Sequence, residues 1–325
     1  MKIRHLDLDD LTVNPEHAAL GIPPIEYEIT HAADHTVIKV VIWLIVTLLF
    51  SLLCYFAYRI FGGNGVAGGV DLIQEALSDP MFWTAFAVGL IAQVIDGALG
   101  MAYGITSTSF LLAFGAPPAM ASGATHLAEV FTTGVSGVSH LKLGNVRKTL
   151  FFGLLIPGIV GALIGTYVLS NIDGKALTPF IALYLLIMGV YVFSKAFRHI
   201  HHNAEVSPRK IAPLALFGGF MDTTGGGGWG PIVTTSLVSA GHDPKTTIGS
   251  VNLAEFFLTL STAAAFFAIL DHTVWLLVAG LAIGGLFAAP FAAFVTHHLK
   301  TRTLLILVGG LISLISLFNI IKALA

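Results

Sequence analysis

Residues 218 to 231 read GGFMDTTGGGGWGP. An acid, two threonines and four consecutive glycines interrupt an otherwise apolar run. Glycine is the poorest ordinary helix former, and four together leave bare backbone. Most of the rest of the chain is just as apolar. Of its 325 residues, 55% are hydrophobic and only 10% are charged, with a mean hydropathy of +0.86. Soluble domains carry about 25% charged residues. Unpaired backbone at membrane depth is tolerated only where protein buries it or where it lines a wet cavity. The stretch therefore predicts an all-α polytopic membrane protein whose backbone opens at a cavity near the middle of the bilayer.

A weaker copy lies upstream. A shift of 126 residues places Asp96 on Asp222, and DGALGMAYG on the glycine run. Without a gap, Gly100, Gly104, Thr108, Leu111, Gly115, Pro118, Gly123, Leu127, Ala128, Glu129 and Phe131 meet the same residue types, which makes 12 identities in 36 positions. Shared membrane composition would not keep Asp, Pro and Glu in register, so the chain is read as an internal duplication.

Expected apolar segments are 36–61, 81–95, 103–114, 119–140, 149–169, 176–197, 211–221, 231–240, 246–269, 273–295 and 303–324. A crossing needs about 20 apolar residues. Four segments fall short, 81–95 with 103–114 and 211–221 with 231–240, and each pair is joined by a glycine break. Short interrupted segments at matching places in two halves point to a transporter binding site. Basic residues give the orientation: Lys142, Arg147 and Lys148 in one loop, Lys195, Arg198, Arg209 and Lys210 in another, and Lys300 and Arg302 in a third. Positive loops stay inside. The loop after the Glu129 helix is then cytoplasmic and the loop after the Glu255 helix is outside, so the copies are inverted. The expected layout is a cytoplasmic polar tail (1–35), an extra span (36–61), a Gly-rich linker with a short amphipathic piece (62–80), repeat 1 (81–197), a basic loop (198–210) and repeat 2 (211–325). Each repeat has a re-entrant broken hairpin and three spanning helices. That makes seven crossings, with the N-terminus inside and the C-terminus outside.

A helix start is an anion site through its donors and its dipole together. Pro231 suits the first turn of a returning half-helix. The N–H groups of Gly227 to Gly230 are expected to point into the cavity. Candidate substrate contacts are Gly225, Gly226, Gly227, Gly228, Trp229 and Asn252, with hydroxyls from Thr223, Thr224 and Thr234 and, in the other copy, from Thr106, Ser107 and Thr108. No lysine or arginine lies in these stretches. An anion held by backbone and hydroxyls alone suits a carrier that must release it. The alternative is that small residues serve only close helix packing.

Four acids lie in or beside apolar segments: Asp96, Glu129, Asp222 and Glu255. A charge at a helix centre costs roughly 2.5–3.5 kcal/mol on insertion scales, so such groups face a cavity or stay protonated. His126 and Glu129, three apart, share a helix face. These five are the candidates for coupling or gating. Either Glu129 and His126 take part in proton movement, or the glutamates tie down the broken hairpins. Asp96 and Asp222 read better as caps.

Several classes are excluded or weakly supported. Walker A needs Lys-Ser/Thr after its last glycine, and Gly230 is followed by Pro231 and Ile232. A lone cysteine, Cys54, excludes an internal disulfide. Neither a cofactor nor a metal is expected, since His126 and Glu129 offer one pair whose counterpart begins with Asn252. No HExxH motif or spaced nucleophile set suggests an enzyme. The net charge of −2 gives no sign of nucleic-acid binding. The expected partners are a small anionic substrate, the lipid bilayer and a second copy in a homodimer.

The duplicated breaks, each followed by a small-residue helix, a Pro turn (Ala116–Pro118, Asp243–Pro244) and an Ala-Glu helix (Ala128–Glu129, Ala254–Glu255), resemble the TauE/SafE family of membrane transporters. The resemblance covers about residues 80 to 323. It implies a secondary transporter of the bacterial inner membrane that moves sulfite, an organosulfonate or a related anion outward on an ion gradient. A carrier or channel for another small oxyanion or carboxylate, in the uptake direction, is the alternative. The N-terminal 80 residues lie outside the common pattern, and the first copy has Gly-Met-Ala-Tyr-Gly where the family commonly has a denser glycine run.

Overall fold

The computed structural model describes residues 36–62, 65–99, 101–197, 208–269, 274–298 and 301–324. The expected tail and most of the basic loop, with His199, His201 and His202, lie outside them. The described residues form helices and turns. They are α1 (Thr36–Phe61), α2 (Gly65–Ser78), α3 (Pro80–Leu99), α4 (Tyr103–Ala113), α5 (Pro118–Lys142), α6 (Lys148–Asn171), α7 (Gly174–Lys195) and α8 (Pro208–Gly225). A π-helical turn (Gly230–Thr234) runs into the short α9 (Thr235–Ser239), and α10 (Pro244–Ile269), α11 (Val274–His298) and α12 (Thr301–Leu324) complete the chain.

Among the described residues, five helices are long and apolar enough to cross a membrane: Thr36–Tyr58, Lys148–Asn171, Gly174–Lys195, Pro244–Ile269 and Leu305–Leu324. The pair Gly68–Ser78 and Pro80–Asp96, bent by 72°, would make a sixth if it is one span. Helix α5 has the length, at 25 residues. Its polarity has a structural reason: Ser122, Thr125, His126, Glu129 and Thr133 all turn inward and are buried.

Three expectations are corrected. The stretch 62–80, expected as a Gly-rich linker with a short amphipathic piece, is already helical from Gly65, where α2 begins. The segments expected at 81–95 and 211–221 are longer, as α3 has 20 residues and α8 has 18. Both continue past Asp96 and Asp222, because these acids serve the helix that follows and do not break their own. The third correction concerns the backbone donors of the second break and is given with the site.

Helix boundaries in the two halves keep the 126-residue offset to within three residues. The matched ends show why. Helices α4 and α9 both stop at a glycine of positive φ, Gly115 (+93°) and Gly241 (+98°). In each, the glycine N–H and the next N–H return to carbonyls three and five residues back: Gly115 to Leu112 and Ala116 to Leu111, then Gly241 to Val238 and His242 to Leu237. This is the Schellman closure, which glycine makes without Cβ strain. Pro118 and Pro244 then open the next helices.

Packing crosses between the halves. Helix α3 lies on α11 and α8 lies on α6. Glycines let these backbones touch: a Cβ on Gly284 would stand 2.1 Å from the Phe86 carbonyl oxygen, and one on Gly161 would stand 2.0 Å from that of Leu216. Helices α5 and α10 run antiparallel, since Thr133 meets Thr259, Gly137 meets Leu253 and the Arg147 N–H donates to Ser250. Two apolar clusters result. One holds α4 with Leu185, Leu281 and Ile312, and the other holds Trp229 with Leu154, Val233 and Phe256. Many apolar side chains point outward, as on α1 (Trp43, Phe50) and α7 (Phe180, Ile187), which suits a lipid-facing surface.

Candidate functional site

The two glycine breaks meet. A Cβ on Gly104 would stand 2.7 Å from the Gly227 Cα, and one on Gly227 would stand 2.2 Å from the Ile105 nitrogen. Gly226 and Gly227 hold φ of +71° and +136°, a conformation other residues adopt only under strain. The contact is therefore backbone against backbone, which no side chain could replace.

Each break is held by its own aspartate. Asp96 Oδ1 accepts from the N–H groups of Ala102 (3.0 Å) and Tyr103 (3.2 Å). Asp222 Oδ1 accepts from those of Gly228 and Trp229, both at 2.8 Å. The four donors are again 126 residues apart in pairs. The Gly227 N–H donates to the Asp222 carbonyl at 2.6 Å. The donors expected to be free for an anion at Gly227, Gly228 and Trp229 are thus already taken by the chain itself. A carboxylate placed six residues ahead of a helix start satisfies the N–H groups that hydrocarbon would leave unpaired.

A cavity of about 260 Å³ lies beside the meeting point. Its acids are Asp96, Glu129 and Glu255, and Asn252 and Tyr103 also line it. A smaller void of about 20 Å³ brings Asp222, Gly227 and Gly228 to the same three acids. The structure therefore gathers all four predicted acids around one place. Among the described residues, no lysine or arginine lines either space. The cavity runs along α5 from Glu129 through Thr132, Thr133 and Ser136 to His140, near the Lys142 end of the helix, and is met on α10 by Ile248.

His126 lies outside the cavity lining. Its Nε2 is 3.0 Å from Asp222 Oδ2 and its Nδ1 is 2.8 Å from the Ser122 carbonyl oxygen. Both ring nitrogens thus face oxygen, and the ring is fully buried. Ser122 Oγ donates to the Thr223 carbonyl at 2.7 Å. Tyr184 lays its ring on Gly225, and its hydroxyl donates to the Gly227 carbonyl at 3.0 Å. Lys195 reaches the Thr235 hydroxyl.

The predicted hydroxyls stand elsewhere. Thr106, Ser107, Thr108, Thr223, Thr224 and Thr234 line neither space. The Thr108 hydroxyl donates to the Gly226 carbonyl and so ties one break to the other, and that of Thr224 returns to Phe220 in its own helix. Sequence reasoning missed Gln93, Tyr103, Thr132, Thr133, Ser136, His140 and Ile248. A signal existed for several: Glu129, Thr133, Ser136 and His140 follow one another by three or four residues on one helix face, with Thr132 beside them. Gln93 precedes Asp96 by three.

A family model described as Sulfite exporter TauE/SafE matches residues 85–318, from α3 into α12. The "Probable membrane transporter protein YtnM" of Bacillus subtilis (strain 168) is 44% identical over 247 residues, which cover 72% of this chain and 81% of that protein. No solved structure matches the chain. With several apolar helices, paired breaks and an extended match to both, this multi-pass chain belongs to the TauE/SafE family of membrane transporters.

Proposed function

We propose that the protein is a secondary transporter of the bacterial inner membrane that exports a small sulfur-containing anion, sulfite or an organosulfonate, by alternating access between two inverted repeats. One observation carries this reading: Asp96, Glu129 and Glu255 share a cavity beside the contact between the two breaks. The antiparallel crossing of α5 and α10 supports the inversion. The cavity reaches towards Lys142 and Arg147, the end that the charge rule places in the cytoplasm, so it is read as inward-facing.

A lining with three carboxyls and, among the described residues, no lysine or arginine repels an anion unless some of the acids carry protons. Once protonated, a carboxyl becomes a hydrogen-bond donor, and the cost of its charge at membrane depth falls away. Sulfite oxygens would then be met by acid O–H groups and by Asn252. A divalent anion that leaves with one proton still moves one net negative charge outward. An inside-negative potential favours that by about 2.3 kcal/mol per 100 mV. The same acids favour a second reading, because an anion that travels with two or more protons would be driven inward as uptake.

The test is flux of sulfite and of an organosulfonate from loaded proteoliposomes under imposed potential and pH gradients. Efflux should quicken with an inside-negative potential, and Glu129→Gln should cut it at least about tenfold, the loss of one proton-carrying donor. Flux indifferent to both gradients and to Glu129→Gln would rule the coupling out.

A further inference from the structure

We infer that a second cavity, shut in this structure, opens on the opposite side of the molecule at the positions 126 residues removed from those lining the open one. The inference rests on the alternating-access reading and adds which residues line the other state. The offset maps Ile248 to Ser122, Asn252 to His126, Thr133 to Thr259, Ser136 to Thr262 and His140 to Phe266. The first of each pair lines the open cavity. The second of each is sealed: Ser122, His126, Thr259, Thr262 and Phe266 are all at most 2% exposed.

The seal has identifiable contacts. His126 meets Asp222 at 3.0 Å, and Ser122 donates to the Thr223 carbonyl. The Phe266 ring lies 6.4 Å from that of His126. The counterpart contact is open: Asn252 stands where His126 would be, and its Oδ1 has no hydrogen-bond partner. Thr262 repeats the sign on the closed side, as its hydroxyl is buried and finds no partner in the protein. A polar group sealed dry and unpaired is costly, and an opened, wetted cavity would satisfy it. The two states thus exchange one contact for another: His126 on Asp222 in the state seen, Asn252 on Asp96 in the state inferred.

The experiment uses the full chain with Cys54, its one cysteine, replaced by serine. Ser136→Cys and Thr262→Cys are each exposed to a membrane-impermeant maleimide from either face of oriented vesicles. Ser136→Cys should label from one face and Thr262→Cys from the other. His126→Asn, which makes the two contacts alike, should raise Thr262→Cys labelling about tenfold and lower that of Ser136→Cys, a shift of the population between states. If flux persists while Thr262→Cys does not react from the second face, the inference fails. It fails equally if Thr262→Cys reacts from the same face as Ser136→Cys. Opposite-face labelling without any flux would keep the second cavity and sink the transport reading instead.

Discussion

Asp222 and Asp96 occupy matched positions but hold different numbers of partners, so truncating each to alanine measures the difference inside one molecule. Asp96→Ala strands two backbone N–H groups, those of Ala102 and Tyr103. Asp222→Ala strands the N–H groups of Gly228 and Trp229 and also the His126 ring. A buried donor left unsatisfied costs about 1–3 kcal/mol. Asp96→Ala should then lose about 2–6 kcal/mol and Asp222→Ala about 3–9 kcal/mol on the same arithmetic. Total stabilities run about 5–15 kcal/mol, so Asp222→Ala should yield little folded protein. Asp222→Asn keeps the oxygen that accepts from Gly228 and Trp229 and should recover most of the loss. The assay is the monodisperse fraction in detergent together with its thermal midpoint, for Asp96→Ala, Asp222→Ala and Asp222→Asn. If Asp222→Ala proves as stable as Asp96→Ala, or if Asn rescues nothing, the aspartates are not holding the breaks through these bonds.

Gly104→Ala places a Cβ 2.7 Å from the Gly227 Cα and 3.2 Å from Glu129 Oε1; backbone cannot rotate away, so a loss of about 1–3 kcal/mol is expected, read as a lowered thermal midpoint and lowered flux. Tyr184→Phe removes one hydrogen bond to the Gly227 carbonyl and should cost about 0.5–1.5 kcal/mol. Gly225→Ala should cost more, because its Cβ would fall 2.0 Å from Tyr184 Cε1, and Tyr184→Ala should relieve part of that cost in a double-mutant cycle. At the start of α10, exposed Asp243 accepts from the Thr246 N–H and hydroxyl, both at 2.9 Å, and this holds its carboxyl below the usual carboxylate range. Its contribution is complete above that range and fades as pH falls through the lowered native value. Hydrogen exchange in the first turn of α10 should therefore separate Asp243→Ala from wild type by a constant factor from about pH 5 upward, and by a shrinking one in stronger acid.

The glycine run carried much of the fold because its physics is unambiguous: bare backbone in an apolar chain must be enclosed. The four acids could be found for the same reason, since a carboxyl at membrane depth is costly wherever it faces lipid. The hydroxyl candidates were harder to place. Thr108 and Thr224 look from sequence like substrate ligands, yet their hydroxyls are spent on carbonyls of Gly226 and Phe220. A threonine in a helix can always bond a nearby carbonyl, and residue type does not say which use it serves. The free donors at Gly227 and Gly228 were misjudged for a related reason: whether Asp222 folds back onto them depends on the geometry of the turn between. The Thr132 to His140 stripe was legible as a helix face, but its polarity is modest. Only the open space beside it marks the face as wet.

The interlocked packing of α3 on α11 and of α8 on α6 also sets an order of assembly. Helix α3 emerges early in synthesis, yet its partner follows roughly 190 residues later. At about 5–20 residues per second, the half-finished chain waits on the order of 10–40 seconds before that groove exists. For about 6–25 seconds of it, until the second break follows 126 residues behind the first, Asp96 and the first break have nothing to lean on. Neither half is then a self-sufficient unit. A chain stopped after α7 should be held for degradation by the cell, however faithfully its helices α1 to α7 have formed.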